Sequence, residues 1–444
     1  MTHPDKNSIK GKVASAGLPE ALPAIDEALR KTGIDPDRLS VSKLGLRSQI
    51  ATIPPMLRRL LTGTFLWLLL LLANLYVIQP PEFLLAAMEL LVGLIILQAA
   101  CGVLIIATER LASRFKWNHY IAGTLAEILS TTPELVVIAF IVPVSPATAF
   151  IISVITIYNN ALVFSLYSFF LPKDKHGKFL MPTPITEAGT QILIGGGAMG
   201  LILGLVMLTF NATVQTKTGF NPLDLAFFSI ILLVIFIVYL YKLVTSYAEE
   251  EAEVREQLAM SETDIEQRLD MVYQNVQPSS YTNIAGLFLA GILGAVIGGE
   301  QISSFASTMI VELEINEILT ALILAIFAGM SEYVILWQSH KKQEYGIALA
   351  NAFGGITQVM FLVLPFTLLT IAFYQFFINP THPELPLEFS LSSIFLLLFL
   401  FPTFYTLSSL LEEDHTLGLL DTTIMTGIFL FLIVLLVTYG GSSG

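Results

Sequence analysis

The chain has 444 residues, 55% of them hydrophobic and only 13% charged, with a mean hydropathy of +0.75 and a net charge of −13. An ordinary soluble domain carries about 25% charged residues, so a soluble globular protein is excluded. The acid excess, concentrated in 249–270, argues against nucleic acid as a partner.

Apolar runs of about 20 residues, the length a helix needs to cross about 30 Å of hydrocarbon, recur along the chain. Runs such as 66–72 and 394–401 lack the alternation of an outer-membrane barrel. The fold class is therefore all-α, a polytopic membrane protein. The single cysteine, Cys101, lies inside an apolar run, which leaves no disulfide framework and no cluster of thiolate ligands.

In chain order, residues 1–58 form a polar, basic tail without the pattern of a cleavable signal peptide. Within it, LPAIDEALRKTG is amphipathic and suits either a membrane surface or the acidic linker further on. Eleven spans follow, near 61–79, 82–109, 118–142, 147–171, 188–210, 222–245, 283–310, 317–338, 346–378, 388–408 and 419–439. The stretch 246–281 is polar, acidic and strongly helix-forming, and it divides the chain. The resulting layout is a leading helix at 59–81, five helices in 82–245, a cytoplasmic linker at 246–281, five helices in 282–440, and a short tail at 441–444. That tail places Ser442 in a GxSxG pattern with no strand before it or helix after it, so it reads as a remnant and not as a nucleophile.

Orientation follows from the basic residues. With the amino-terminal tail in the cytoplasm, alternating loops put every Lys and Arg except Lys217 inside, including Arg110, Arg114, Lys116, Lys173, Lys175, Lys178, Lys341 and Lys342. An odd number of spans per half inserts the two halves in opposite senses, the layout of inverted-repeat transporters. A bacterial plasma membrane and a vacuolar or other organelle membrane both fit, as does a homo-oligomer.

Carboxylates deep in a span are costly unless they face a cavity, a partner or an ion. In AEILSTTPEL, Glu127, Ser130 or Thr131, and Glu134 share one helix face. Pro133 frees the carbonyl near Leu129, which can then point at a cation. The next span presents Thr156 and Asn160 one turn apart, with Asn159 beside them. In the second half AIFAGMSEYVILW supplies Ser331 and Glu332, with Gly329 allowing close backbone approach. NAFGGITQVMF then adds Asn351, Thr357 and Gln358 around a Gly pair that lets the helix loosen or approach its neighbour. Two central glutamates with hydroxyls, amides and carbonyls are hard ligands suited to Ca2+, Na+ or Mn2+.

Other polar residues have blander readings. Glu127 suits an access vestibule or a pair with Arg110 or Lys116, and Asn159 and Asn351 suit either helix packing or the ion pathway. Glu109 and Glu300 read as snorkelling near span ends. The series Gly196, Gly200, Gly204 and the pair Gly294, Gly298 read as packing faces, and His119 and His340 as solvated membrane-edge residues. The acidic run Glu249, Glu250, Glu251, Glu253, Glu256 is either a solvated linker or a Ca2+-responsive element, without EF-hand spacing.

The two polar segments resemble the alpha-1 (123–165) and alpha-2 (325–365) repeats of the cation/Ca2+ exchanger superfamily. STTPELVV is similar to its GTSxPEL signature, and Glu332 through GIALANAFGGITQVMFLVLPFTLL is closest to the H+/Ca2+ exchanger branch, with Gln358 and Pro365 at the expected spacing. The resemblance implies Glu134 and Glu332 as the cation- and proton-carrying pair. It implies Thr131, Thr156 and Asn160, with Ser130, as helpers in the first half and Ser331 and Gln358 in the second. The pattern differs at Thr131 and Gly329, where the branch has Asn, at Tyr333, where it has His, and at the pair Gly354 and Gly355, where it has GS. The expectation is a cofactor-free antiporter exporting Ca2+, or a related cation, in exchange for H+. Na+/Ca2+ exchange is the alternative. An intramembrane enzyme is disfavoured by the absence of HExxH or GxGD, and a channel by the two protonatable halves.

Overall fold

A computed structural model describes residues 55–76, 81–115, 128–181, 185–212, 221–257, 280–341, 345–378, 391–412 and 415–439. The described helices are α1 Pro55–Tyr76, α2 Glu82–Phe115, α3 Thr132–Ile141, α4 Pro146–Tyr167, α5 Thr190–Ala212 and α6 Pro222–Gln257 in the first half. The second half has α7 Tyr281–Ser307, α8 Glu317–Ala328, α9 Met330–Lys341, α10 Tyr345–Gln358, α11 Leu364–Phe373, α12 Leu391–Glu412 and α13 Leu419–Tyr439. Among the described residues nine helical stretches are long and apolar enough to cross a membrane, and two shorter apolar helices, Thr132–Ile141 and Glu317–Ala328, lie where the sequence predicted full spans.

Local sequence explains where helices start. Proline, whose fixed φ suits a first helical turn, opens α1 and α4 and stands within the first two positions of α3. Ser145 caps α4 by accepting the Thr148 amide at 3.1 Å, Ser280 caps α7 through the Asn283 amide at 3.3 Å, and Asn316 caps α8 through the Ile318 amide at 2.7 Å.

The predicted span 118–142 breaks at Thr131, ahead of Pro133, and the predicted span 317–338 breaks at Gly329, so α8 and α9 are separate helices. Three turns in the second half widen to π geometry, at Thr308–Glu312, Val359–Val363 and Tyr374–Ile378. The middle one follows Gln358 directly and precedes Pro365, which has no amide to close the turn. Helix α6 continues beyond its apolar, span-length part Pro222–Leu243 and runs unbroken through Glu249, Glu250, Glu251, Glu253 and Glu256 to Gln257. Strong helix formers continue the span without a terminating Gly or Pro.

The centre is built by α4, 83% of whose span is buried, and by α10–α11, whereas α1 has only 17% buried and shows Leu61, Phe65 and Leu69 outward. Around that centre α2 packs on α7, α5 on α12, α8 on α4, α6 on α11 and α13 on α4. Helices α2 and α7 cross closely: a Cβ added at Gly298 would lie 3.0 Å from the Gly93 carbonyl oxygen, and one at Gly294 would lie 3.1 Å from the Ala100 Cβ. A Cβ at Gly200 would lie 2.5 Å from Leu400, and Gly196 and Gly204 are similarly crowded by Met360 and Leu398. The glycine series are thus packing faces.

Loops predicted on one side of the membrane meet. Phe179–Leu180 (β1) pairs antiparallel with Thr416–Leu417 (β2), and the Arg114 guanidinium sits 3.8 Å over the Tyr281 ring. At the opposite end the Ser145 hydroxyl donates to Glu317 Oε1 at 3.3 Å.

Candidate cation site

Glu134 and Glu332 occupy equivalent places: each lies in the first turn of a short helix that begins at a break, α3 after Thr131 and α9 after Gly329. A helix N-terminus carries a partial positive charge and favours a carboxylate. Both are buried, at 2% and 6% exposure, and they act on each other electrostatically. Neither Glu134 oxygen has a hydrogen-bond partner in the protein. Two ionised carboxylates at this depth are strongly destabilising unless a cation or protons neutralise them.

Asn160 stands between the halves. Its amide is buried, with neither Oδ1 nor Nδ2 hydrogen-bonded to protein. A Cβ placed on Gly355 would fall 2.5 Å from Glu332 Oε2 and 3.0 Å from Asn160 Nδ2, and one on Gly329 would fall 3.5 Å from Asn160 Oδ1. The Gly pair therefore does not loosen α10, which is continuous through it; Gly355 lets the helix backbone approach Glu332 and Asn160. A small recess adjoins them, lined by Asn160, Val163, Glu332, Tyr333, Leu336 and Asn351, among others.

Of the remaining expected residues, Asn159 and Asn351 are committed to holding α9. Asn159 Nδ2 donates to the Tyr333 hydroxyl, and Asn351 Nδ2 donates to the Glu332 carbonyl at 3.4 Å. The Thr131 and Thr156 hydroxyls donate back to Ile128 and Ile152 at 2.7 Å each, which leaves their oxygen lone pairs as acceptors. Ser130 and Gln358 are buried, Gln358 one turn beyond Gly355. The Ser331 backbone lies in the first turn of α9. The side chains of Ser331, Glu109 and the acidic run, and all of Glu127 and His119, lie outside the described residues. Glu300 is exposed but stands well inside the Tyr281–Glu312 span, not near its end. His340 is not solvated either: it is half-buried, with Nδ1 3.3 Å from the Tyr167 hydroxyl and its ring against Trp337 and Tyr345.

Among the described residues no three His, Cys, Asp or Glu side chains converge as a ready-made metal centre. A cation at Glu134 and Glu332 would complete its shell from amides, hydroxyls and backbone oxygens, as hard cations do.

Residues 283–438 match the family model of the sodium/calcium exchanger protein. The fold is similar to that of the H+/Ca2+ exchanger CAX, with a TM-score of 0.56 at 12% identity over 85% of this chain and 88% of that one. It is also similar to native YfkE, with a TM-score of 0.55 at 15% identity over 85% of this chain and 98% of that one. No curated protein sequence matches the chain.

Three features of the site escape sequence reasoning. Tyr333, visible only as a departure from pattern, accepts the Asn159 amide and lines the recess. Gly355 is a contact surface and not a hinge. Cys101 on α2 donates its thiol to the Leu129 carbonyl at 3.0 Å. The carbonyl that Pro133 frees thus has a protein partner, a weak thiol donor that takes one of its two lone pairs. A lone cysteine in an apolar run gives no sequence signal of that partner.

Proposed function

We propose that the chain is a secondary antiporter that moves Ca2+, or a related divalent cation, out of the cytosol in exchange for H+ by alternating access at Glu134 and Glu332. The observation that carries this reading is the placement of two buried, mutually repelling carboxylates at the starts of two broken helices, beside an Asn160 amide with no protein partner. One divalent cation neutralises the pair, and so do two protons. The site can therefore present the same net charge in each direction of the cycle. CAX and YfkE, whose folds this chain resembles, are described as an H+/Ca2+ exchanger and a Ca2+/H+ antiporter.

In this cycle the deprotonated pair takes the cation from the recess, with Asn160, Thr131, Thr156, Ser130, Ser331 and Gln358 as neutral oxygen ligands. The recess runs from Glu332 and Asn160 toward Leu336 and Val163, in the direction of Tyr167 and His340. With the basic end in the cytoplasm, that opening is the cytosolic one. The pairing of α2 with α7, α5 with α12, and of α6 and α13 with the central helix of the opposite half supports two repeats of opposite orientation. Glu127 belongs to the access vestibule, and the acidic run continuing α6 draws cations toward it.

Na+-driven exchange is the second reading, favoured by the sodium/calcium exchanger match over 283–438. The neutral Gln358, where Na+/Ca2+ exchangers of the resembled superfamily often place a further acid, weighs against it. Reconstitution in liposomes with 45Ca2+ flux under an imposed pH or Na+ gradient separates the two. Proton-driven flux lost in both Glu134→Gln and Glu332→Gln is the expected result. Full exchange by Glu134→Gln would remove the two-glutamate mechanism.

A further inference from the structure

A further intramembrane carboxylate lies outside the central pair, on α2. Glu89, on the α2 face that meets α7, is 7% exposed although it stands two turns inside an apolar span. Its Oε1 accepts the Ser304 hydroxyl of α7 at 2.8 Å, and its Oε2 is buried without a protein partner. The charged group acting on it is another acid, Glu312, which ends the π turn Thr308–Glu312 and is exposed. A buried carboxylate met by a hydroxyl and a like charge is an unfavourable structural element by itself, since its free oxygen forgoes water with nothing in return. A cation removes both penalties together.

The location ties this group to the central site. Ser303, next to the residue that holds Glu89, donates to the Phe140 carbonyl at 3.0 Å, and a Cβ on Gly299 would lie 2.5 Å from the Phe140 ring. Phe140 is six residues along α3 from Glu134, about 9 Å at 1.5 Å per residue. The Glu89 oxygen therefore lies toward the end of α3 opposite to the recess, where the Ser145–Glu317 contact also stands.

We propose that Glu89, Ser304 and Glu312 form a second divalent-cation site on the extracytoplasmic side of Glu134, a station that a cation occupies between the central pair and the outer solution. The donor set is two carboxylates and a hydroxyl, hard ligands of the Ca2+ class, and Glu312 supplies an exposed arm that reaches solvent. The choice of cation and of the outer side rests on the function proposed above; the site itself rests on the unpartnered Glu89 oxygen.

The test is equilibrium 45Ca2+ binding to the full-length chain in nanodiscs. A Glu134→Gln/Glu332→Gln double variant silences the central pair and is expected to retain one Ca2+ site. Adding Glu89→Gln, whose amide oxygen still accepts the Ser304 hydroxyl and so preserves the α2–α7 contact, is expected to weaken that residual site at least tenfold. Glu312→Gln is expected to weaken it less. A double variant that binds no Ca2+ while the parent does would overturn the second site and leave the central one standing. Residual binding indifferent to Glu89→Gln would also overturn it. Parent-like stoichiometry together with full exchange in the double variant would instead refute the central pair.

Discussion

Gly355 offers the sharpest probe of the site because its effect can be worked from distances. A methyl group there begins 2.5 Å from Glu332 Oε2 and 3.0 Å from Asn160 Nδ2, whereas ordinary contact starts at 3.4 Å, so the Glu332 carboxylate must retreat by about 0.9 Å in Gly355→Ala. Overpacking of this kind costs about 1–3 kcal/mol. The carboxylate can move into the adjoining recess, so the cost falls on cation binding more than on folding. At about 1.4 kcal/mol per tenfold, Ca2+ affinity should fall about 5- to 150-fold, read by 45Ca2+ binding in nanodiscs, with the thermal unfolding midpoint little changed. Gly195→Ala and Gly286→Ala are the controls: a Cβ at either position meets nothing within 4 Å, and alanine favours a helix over glycine by about 1 kcal/mol. Wild-type affinity in Gly355→Ala, or an equal loss in the two controls, would refute the placement of Gly355 against the carboxylate.

Two further outcomes follow from contacts elsewhere. Cys101→Ala removes the donor from the Leu129 carbonyl and should cost about 1–3 kcal/mol; Cys101→Ser keeps a donor and should recover most of it, and equal unfolding midpoints for the two variants would show that the thiol contact is idle. In the loop after α4, Asp174 accepts the Lys178 and His176 amides at 2.9 and 2.8 Å, and the Lys178 amide first, then that of His176, holds this exposed carboxyl below its usual range. A depressed carboxyl gives its ordering above the unfolded value and loses it as pH falls through the folded one. Amide protection at His176 and Lys178 should therefore drop on acidification below the ordinary carboxylate range, and Asp174→Asn should lack that dependence.

The sequence by itself determined that this is a multi-span helical membrane protein and which segments are apolar, and it singled out Glu134 and Glu332 as candidate site acids. Span length and the cost of buried charge are properties of a segment taken alone, and Pro133 announces its break locally. Tertiary structure decided what depends on a second segment. Gly329 ends a helix where sequence suggested only close approach. Asn159 and Asn351, for which the sequence left helix packing and the ion pathway both open, hold α9, a choice visible only once the Tyr333 hydroxyl and the Glu332 carbonyl of another helix are in place. Glu89 lay in plain view within its span, yet its meaning depends on Ser304 and Glu312, more than 200 positions away. The partners that turn a buried acid into a site come from other helices, and hydropathy along one helix carries no record of them.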